Sequence, residues 1–213
     1  MILQLRRLVP AIIAAVVSRG GYVTKTKLTK LLYLLDVEYY RAFRRTCTGL
    51  DWKFLHLGPW TAEIDCLLDG LLRDRTVTLK STNKDGGLLV SDASPDIDVF
   101  FSSLKEATPL RTVLNLWAAA PTNEILDYVY FQTEPIRLGA QGTKLDFSTI
   151  PEEITPKYSR TGSGVAKAEI KKRRSLFSKK WKHLNDEAMV FFTPPAYDDE
   201  FFQALSHLNH PER

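Results

Sequence analysis

Leucines at helical spacing, followed by an aromatic strand and a Gly-Pro-Trp corner, constrain this 213-residue chain more than any other feature. Between Lys27 and Trp60 the sequence reads KLTKLLYLLD, then a polar gap, then GLDWKFLHLGPW. Leu28, Leu31, Leu32 and Leu35 recur at the spacing of one helical face. Tyr33 and Leu34 widen that face, which puts the helix at the centre of a core. Thr24 offers an N-cap hydroxyl, and the spacing predicts a helix from there to about Arg44. Gly49 is expected to end the following loop. Trp52 to Leu57 alternates as a short strand. Gly58 permits backbone angles closed to other residues and Pro59 fixes φ, so the strand is expected to stop there. Helical spacing resumes from Thr61 through Ile64, Leu67, Leu68, Leu71 and Leu72.

The chain begins with arginines and the apolar run LVPAIIAAVV, which imitates a signal peptide. No small-x-small cleavage site follows, and the run is too short to span a bilayer. A buried first helix is expected instead, opening at Pro10 and ending at Gly20-Gly21. Hydrophobic residues form 44% of the chain, ample for a packed core. The two cysteines, Cys47 and Cys66, are too few for a disulfide framework and lack zinc-ligand spacing, which points to a reducing cytoplasm.

Further along, Val77-Thr78-Leu79 and Leu88-Leu89-Val90 flank a turn-rich NKDGG stretch and predict a hairpin. Pro95 is expected to open a helix carrying Val99, Phe100 and Leu104 on one side. Pro109 is expected to open another, with Val113, Leu114 and Trp117. Thr122 should cap a third, reaching about Gln132 and stopped by Pro135. From Arg137 to Gly164 periodicity fades into a surface connection. Ala166, Ile170, Phe177, Trp181, Leu184 and Ala188 then form one helical stripe, and Asp198 to Leu208 reads as a last short helix.

The KLxKLLY helix and the Gly-Pro-Trp turn together resemble the signature of the Panacea domain, the SocA-like antitoxin family. The residues that carry the resemblance are Lys27, Leu28, Lys30, Leu31, Tyr33, Gly58, Pro59 and Trp60. The stretch Glu124 to Pro135 stands where the family has a late helix. It lacks the histidine common there, and Ile136 replaces the usual tryptophan. The resemblance implies a mainly α (α+β) fold: a helical domain with a small antiparallel sheet over residues 1–137. An irregular connection at 138–164 and a basic helical extension at 165–213 complete the expected organisation. It also implies function. The chain would be an antitoxin that binds a cognate toxin protein, in some members handing it to a protease or chaperone, with no cofactor and no enzymatic activity.

Residue types narrow the search for a binding surface. Interfaces favour Tyr, Trp and Arg, which singles out Tyr39, Tyr40, Trp52, Trp60, Tyr128 and Tyr130. Lys27, Lys30 and Asp36 are expected to be exposed, either solvated or serving a binding face. His56 stands near Asp51, Glu63 and Asp65, and a histidine beside a carboxylate can act as a general base. No nucleophile motif, phosphate loop or metal-spaced histidine pair accompanies it, so it is read as an ordinary strand side chain.

Charge is unevenly placed. The net charge is +4, yet residues 157–182 alone hold ten basic residues against Glu169, and the rest of the chain is acidic. Within that segment Lys171, Arg173, Arg174, Phe177 and Trp181 combine charge with aromatic surface. Three partners fit it: an acidic protein groove, nucleic acid, or an anionic membrane. The alternative of a stripe packed on the chain's own acidic body stands beside them. A nucleic-acid-binding regulator acting through 157–182, and a scaffolding protein of a phage or mobile element, are the rival functional readings.

Overall fold

Helix α2 (Lys25–Phe43) is the axis around which the other elements assemble. The computed structural model describes residues 2–55, 58–81 and 87–152. They form six helices and two small antiparallel hairpins, a mainly helical fold with little sheet. The Thr24 hydroxyl accepts the Lys27 amide and starts α2, and Arg44 closes it in the left-handed conformation at φ +56°. From Thr26 to Tyr39 every residue of α2 is buried, so this helix has no solvated face over nearly four turns. Each fully buried Leu or Tyr of that run contributes roughly 1.5–3 kcal/mol of apolar burial.

Helix α1 (Ile2–Val17) packs its apolar run into the same core, with Val9, Ile12, Ile13, Ala15 and Val16 fully buried. It begins well before Pro10, the residue expected at the helix start. Pro10 instead sits inside the helix, where it lacks the amide that would bond back one turn. The helix persists because almost every residue from Leu8 to Val16 is buried. No described helix is long and apolar enough to cross a membrane.

The Gly58-Pro59-Trp60 corner differs from expectation. It is itself a strand, β2 (Gly58–Trp60), paired antiparallel with β1 (Lys53–Leu55). Phe54 stands opposite Pro59 and Lys53 opposite Trp60. Proline is tolerated because a strand edge does not need every N–H in a ladder. The outer edge of β1 is covered by residues 142–145: the Phe54 amide bonds to Thr143 O, and the Leu145 amide to Trp52 O. Thr61 then caps α3 (Ala62–Arg73), as its spacing predicts. His56 and Leu57 lie outside the described residues.

The second hairpin, β3 (Thr78–Ser81) with β4 (Gly87–Val90), lies where the sequence places it. The Leu89 amide bonds to Val23 O, tying β4 to the segment before α2. The helix expected from Pro95 is absent. A single 3₁₀ turn at Asp98–Phe100 stands there, with Val99 and Leu104 exposed at 68% and 65%. Ser103 explains the difference: its hydroxyl accepts the Glu106 amide, so it starts α4 (Leu104–Trp117) and breaks the earlier periodicity. Pro109 therefore lies inside α4 instead of opening it.

Helix α5 (Thr122–Gln132) is preceded by Pro121 at its cap position, not by Thr122. Pro135 does not merely stop α5; it sits in the first turn of α6 (Glu134–Leu138), the position where a missing N–H costs least. The body also extends past residue 137. Leu145, Phe147 and Ile150 are buried members of the core, so the first part of the expected irregular connection is packed chain. The expected helical extension at 165–213 lies outside the described residues.

Candidate functional site

The charged residues of the KLTKLLYLLD helix are not on a surface. Lys27, Lys30 and Asp36 are 0%, 3% and 0% exposed. With Tyr33 they stand at every third position of α2, and each is tied to a different part of the chain.

Lys27 Nζ donates to Ala118 O at 2.7 Å and Ala120 O at 2.8 Å, beyond the end of α4. Its charge also lies 4.6 Å from the centre of the Tyr22 ring. The last carbonyls of a helix lack internal partners and carry partial negative charge, so an ammonium is well placed there. Lys30 Nζ donates to Pro59 O at 2.9 Å and so fastens β2 to α2. Tyr33 shares a 3.1 Å hydrogen bond with the Thr133 hydroxyl between α5 and α6, and meets Trp52 edge-on at 5.5 Å. Asp36 accepts from the Cys47 and Thr48 amides, the Thr48 hydroxyl and Trp52 Nε1.

Burial sets the electrostatics. Desolvation lowers Lys27 to about 8 and Lys30 to about 7. Burial raises the Asp36 carboxyl, against the pull of its donors from Thr48, Trp52 and Cys47. Burial pushes the Cys47 thiol up to about 12, with Asp36 adding to the effect, so it is a poor nucleophile. Cys66 is exposed, and both cysteines are free thiols.

The aromatic residues singled out from sequence divide into two groups. Trp52 is 1% exposed and Tyr39 is buried, so both belong to the framework and not to a surface. Their indole and phenol groups explain why: Trp52 serves Asp36, and Tyr39 donates to Glu106 at 3.3 Å. Tyr40, Trp60, Tyr128 and Tyr130 are partly exposed. Tyr130 lies over β2, its ring 3.4 Å from where a Cβ on Gly58 would stand, and packs on Phe54 at 6.2 Å. Tyr128 stacks on Trp117 at 4.8 Å. Tyr40 packs on Phe147 at 5.9 Å and carries the Arg44 guanidinium 4.8 Å above its ring. Lys171, Arg173, Arg174, Phe177 and Trp181 lie outside the described residues.

One cluster escapes the sequence pattern. Arg41 bonds to Glu38 at 2.6 Å and to Glu134 at 2.8 Å, and points a further N–H at the Tyr128 hydroxyl. Burial alone would lower the Arg41 pKa; Glu38, Tyr128 and Glu134 more than reverse that. The signal for one half of it is present in the sequence, since Glu38 and Arg41 are three residues apart on a helix. Among the described residues no group of three or more His, Cys, Asp or Glu side chains could hold a metal ion.

No family model, curated protein or solved structure matches the chain. Lys27, Lys30, Tyr33 and Pro59 are all buried. Those residues share a physical role in the fold. Lys27, Lys30 and Tyr33 hold the ends of other elements, and Pro59 offers the carbonyl that Lys30 takes.

Proposed function

We propose that this chain is an antitoxin that neutralises a partner protein by direct binding. One observation carries the reading: Trp60, two residues after Gly58 in β2, and Tyr130, whose ring lies against Gly58, are both partly exposed, and both are of the kind that anchor interfaces. The hairpin that carries Trp60 is tied to its neighbours: Lys30 bonds to Pro59 O in β2, and residues 142–145 bond to the chain along β1. Rigid aromatic anchors lose little conformational entropy on binding. Tyr40 and Tyr128 extend the same type of surface along α2 and α5. The resemblance of the KLxKLLY and Gly-Pro-Trp motifs to the Panacea signature supports this reading, and delivery of the partner to a protease is compatible with it.

The test is co-expression with the small open reading frame beside this one. The neighbour alone should arrest growth, and this chain should restore it. Trp60→Ala and Tyr130→Ala should each weaken binding by about 2 kcal/mol or more, the scale of interface hot spots, with unchanged circular dichroism. A neighbour that is harmless alone would overturn the reading. The +9 charge of residues 157–182 favours a second one, nucleic-acid binding. That reading requires affinity that falls steeply with salt and vanishes when the segment is deleted.

A further inference from the structure

Two buried lysines of α2 are solvated very differently. An ammonium has three N–H donors to satisfy. Lys27 meets two carbonyls and an aromatic face. Lys30 has the single acceptor Pro59 O, at 3% exposure. One acceptor suits a neutral amine, which can leave a lone pair unpaired. It does not suit a buried cation with two further N–H groups. Lys30 takes part in no ion pair among the described residues.

Among the described residues, Glu106 of α4 is engaged by Arg45 and Tyr39, and Glu134 of α6 by Arg41. Strand β2 carries no titratable side chain. Helix α5 brings Tyr130 against Gly58. Glu63, at the start of α3, accepts from the Asp51 amide and the Thr61 hydroxyl. On α2 itself, Asp36 is occupied by its four donors and Lys27 by its carbonyls. Desolvation alone accounts for the lowering of Lys30 to about 7.

We infer that the Lys30–Pro59 contact is a proton-sensitive latch, holding strand β2 to α2 when the amine is neutral and weakening as it gains a proton. With the strand detached, the amine is wet and its pKa returns toward the usual 10.5. The detached state therefore binds more protons between about 7 and about 10.5. Detachment becomes easier as pH falls through that window, by about tenfold per unit.

Hydrogen exchange of the full chain between pH 7 and pH 9, corrected for intrinsic rates, reads the effect. The Gly58 and Trp60 amides should open about 50-fold more readily at pH 7 than at pH 9, the slope flattening as the attached amine itself begins to protonate near pH 7. The β3–β4 amides should show a much flatter profile. Lys30→Met should remove the pH dependence at Gly58 and Trp60. An identical slope in Lys30→Met would overturn the latch, as would parallel behaviour of the β3–β4 amides. A direct measurement stands independent of that variant's folding: the Lys30 ¹³Cε resonance should titrate near neutrality, and titration near 10.5 would sink the proposal.

Discussion

Asp36 shows how much a single buried carboxylate can organise. Its oxygens collect two amides, a hydroxyl and an indole N–H from the stretch between Cys47 and Trp52. Hydrogen bonds to a charged group contribute about 1.5–3 kcal/mol each, and an amide in its place keeps one acceptor oxygen and turns an NH2 on donors it cannot pair. Asp36→Asn should therefore cost about 3 kcal/mol or more in urea unfolding and change Trp52 fluorescence. A cost below about 1 kcal/mol would mean that the loop holds itself. Gly21 makes the opposite kind of demand, for absence of bulk. A Cβ there would stand 1.9 Å from Ala118 O, one of the two carbonyls Lys27 holds. Gly21→Ala should destabilise by about 1–3 kcal/mol through forced backbone movement. Gly20→Ala is a contrasting control: a Cβ there meets no neighbour, and only the positive φ resists it.

Among the elements, α4 is the clearest case of local chemistry deciding a boundary. Ser103 caps it, and Glu106 three residues later accepts the Ser102 amide. Ser103→Ala should cost about 1 kcal/mol, read as a lower urea midpoint with an unchanged slope. Periodicity and proline placement point instead to Pro95 and Pro109 as helix openers and pass over this serine. Pro10 misleads for the same reason: a proline inside a helix looks wrong locally and is paid for by burial of the whole run around it. Helix α2 is legible because leucine periodicity and the Thr24 cap agree, and α3 because its leucine periodicity resumes right after Gly58-Pro59-Trp60. Strand β2 is not, because Gly-Pro reads as a break, and only pairing with Phe54 and Lys53 reveals a strand. The burial of Lys27 and Lys30 is hidden too. Their acceptors are backbone carbonyls at Ala118, Ala120 and Pro59, and a carbonyl leaves no mark on the residue type that bears it.

For the whole molecule, these lysines give an unusual pH profile. Both have folded pKa values below the ordinary 10.5, at about 8 and about 7. Between those values and 10.5 the unfolded chain binds more protons than the folded one, so stability rises with pH. The tyrosines and Cys47 act in the opposite sense. Burial raises Tyr33 and pushes Cys47 up to about 12, so unfolding releases their protons and stability falls above about pH 9 to 10. Urea midpoints should therefore climb from pH 7 to a maximum near pH 10. A profile that declines steadily from pH 7 would show that Lys27 and Lys30 keep ordinary pKa values in the fold.

The spacing of the α2 partners along the chain has a consequence for synthesis. Lys27 is separated from Ala120 by 93 residues, and Tyr33 from Thr133 by 100. A ribosome adding roughly 5–20 residues per second needs about 5–20 s to bridge that gap. The partners of Lys30 and Asp36 emerge early, but throughout that interval Lys27 has no acceptor and Tyr33 lacks Thr133, so that part of the helix cannot yet be desolvated. A nascent chain that ends before Ala118 holds the central helix of the protein and neither of the carbonyls that Lys27 takes. Completion of this core is thus a late event in translation, set by when residues 118–133 emerge.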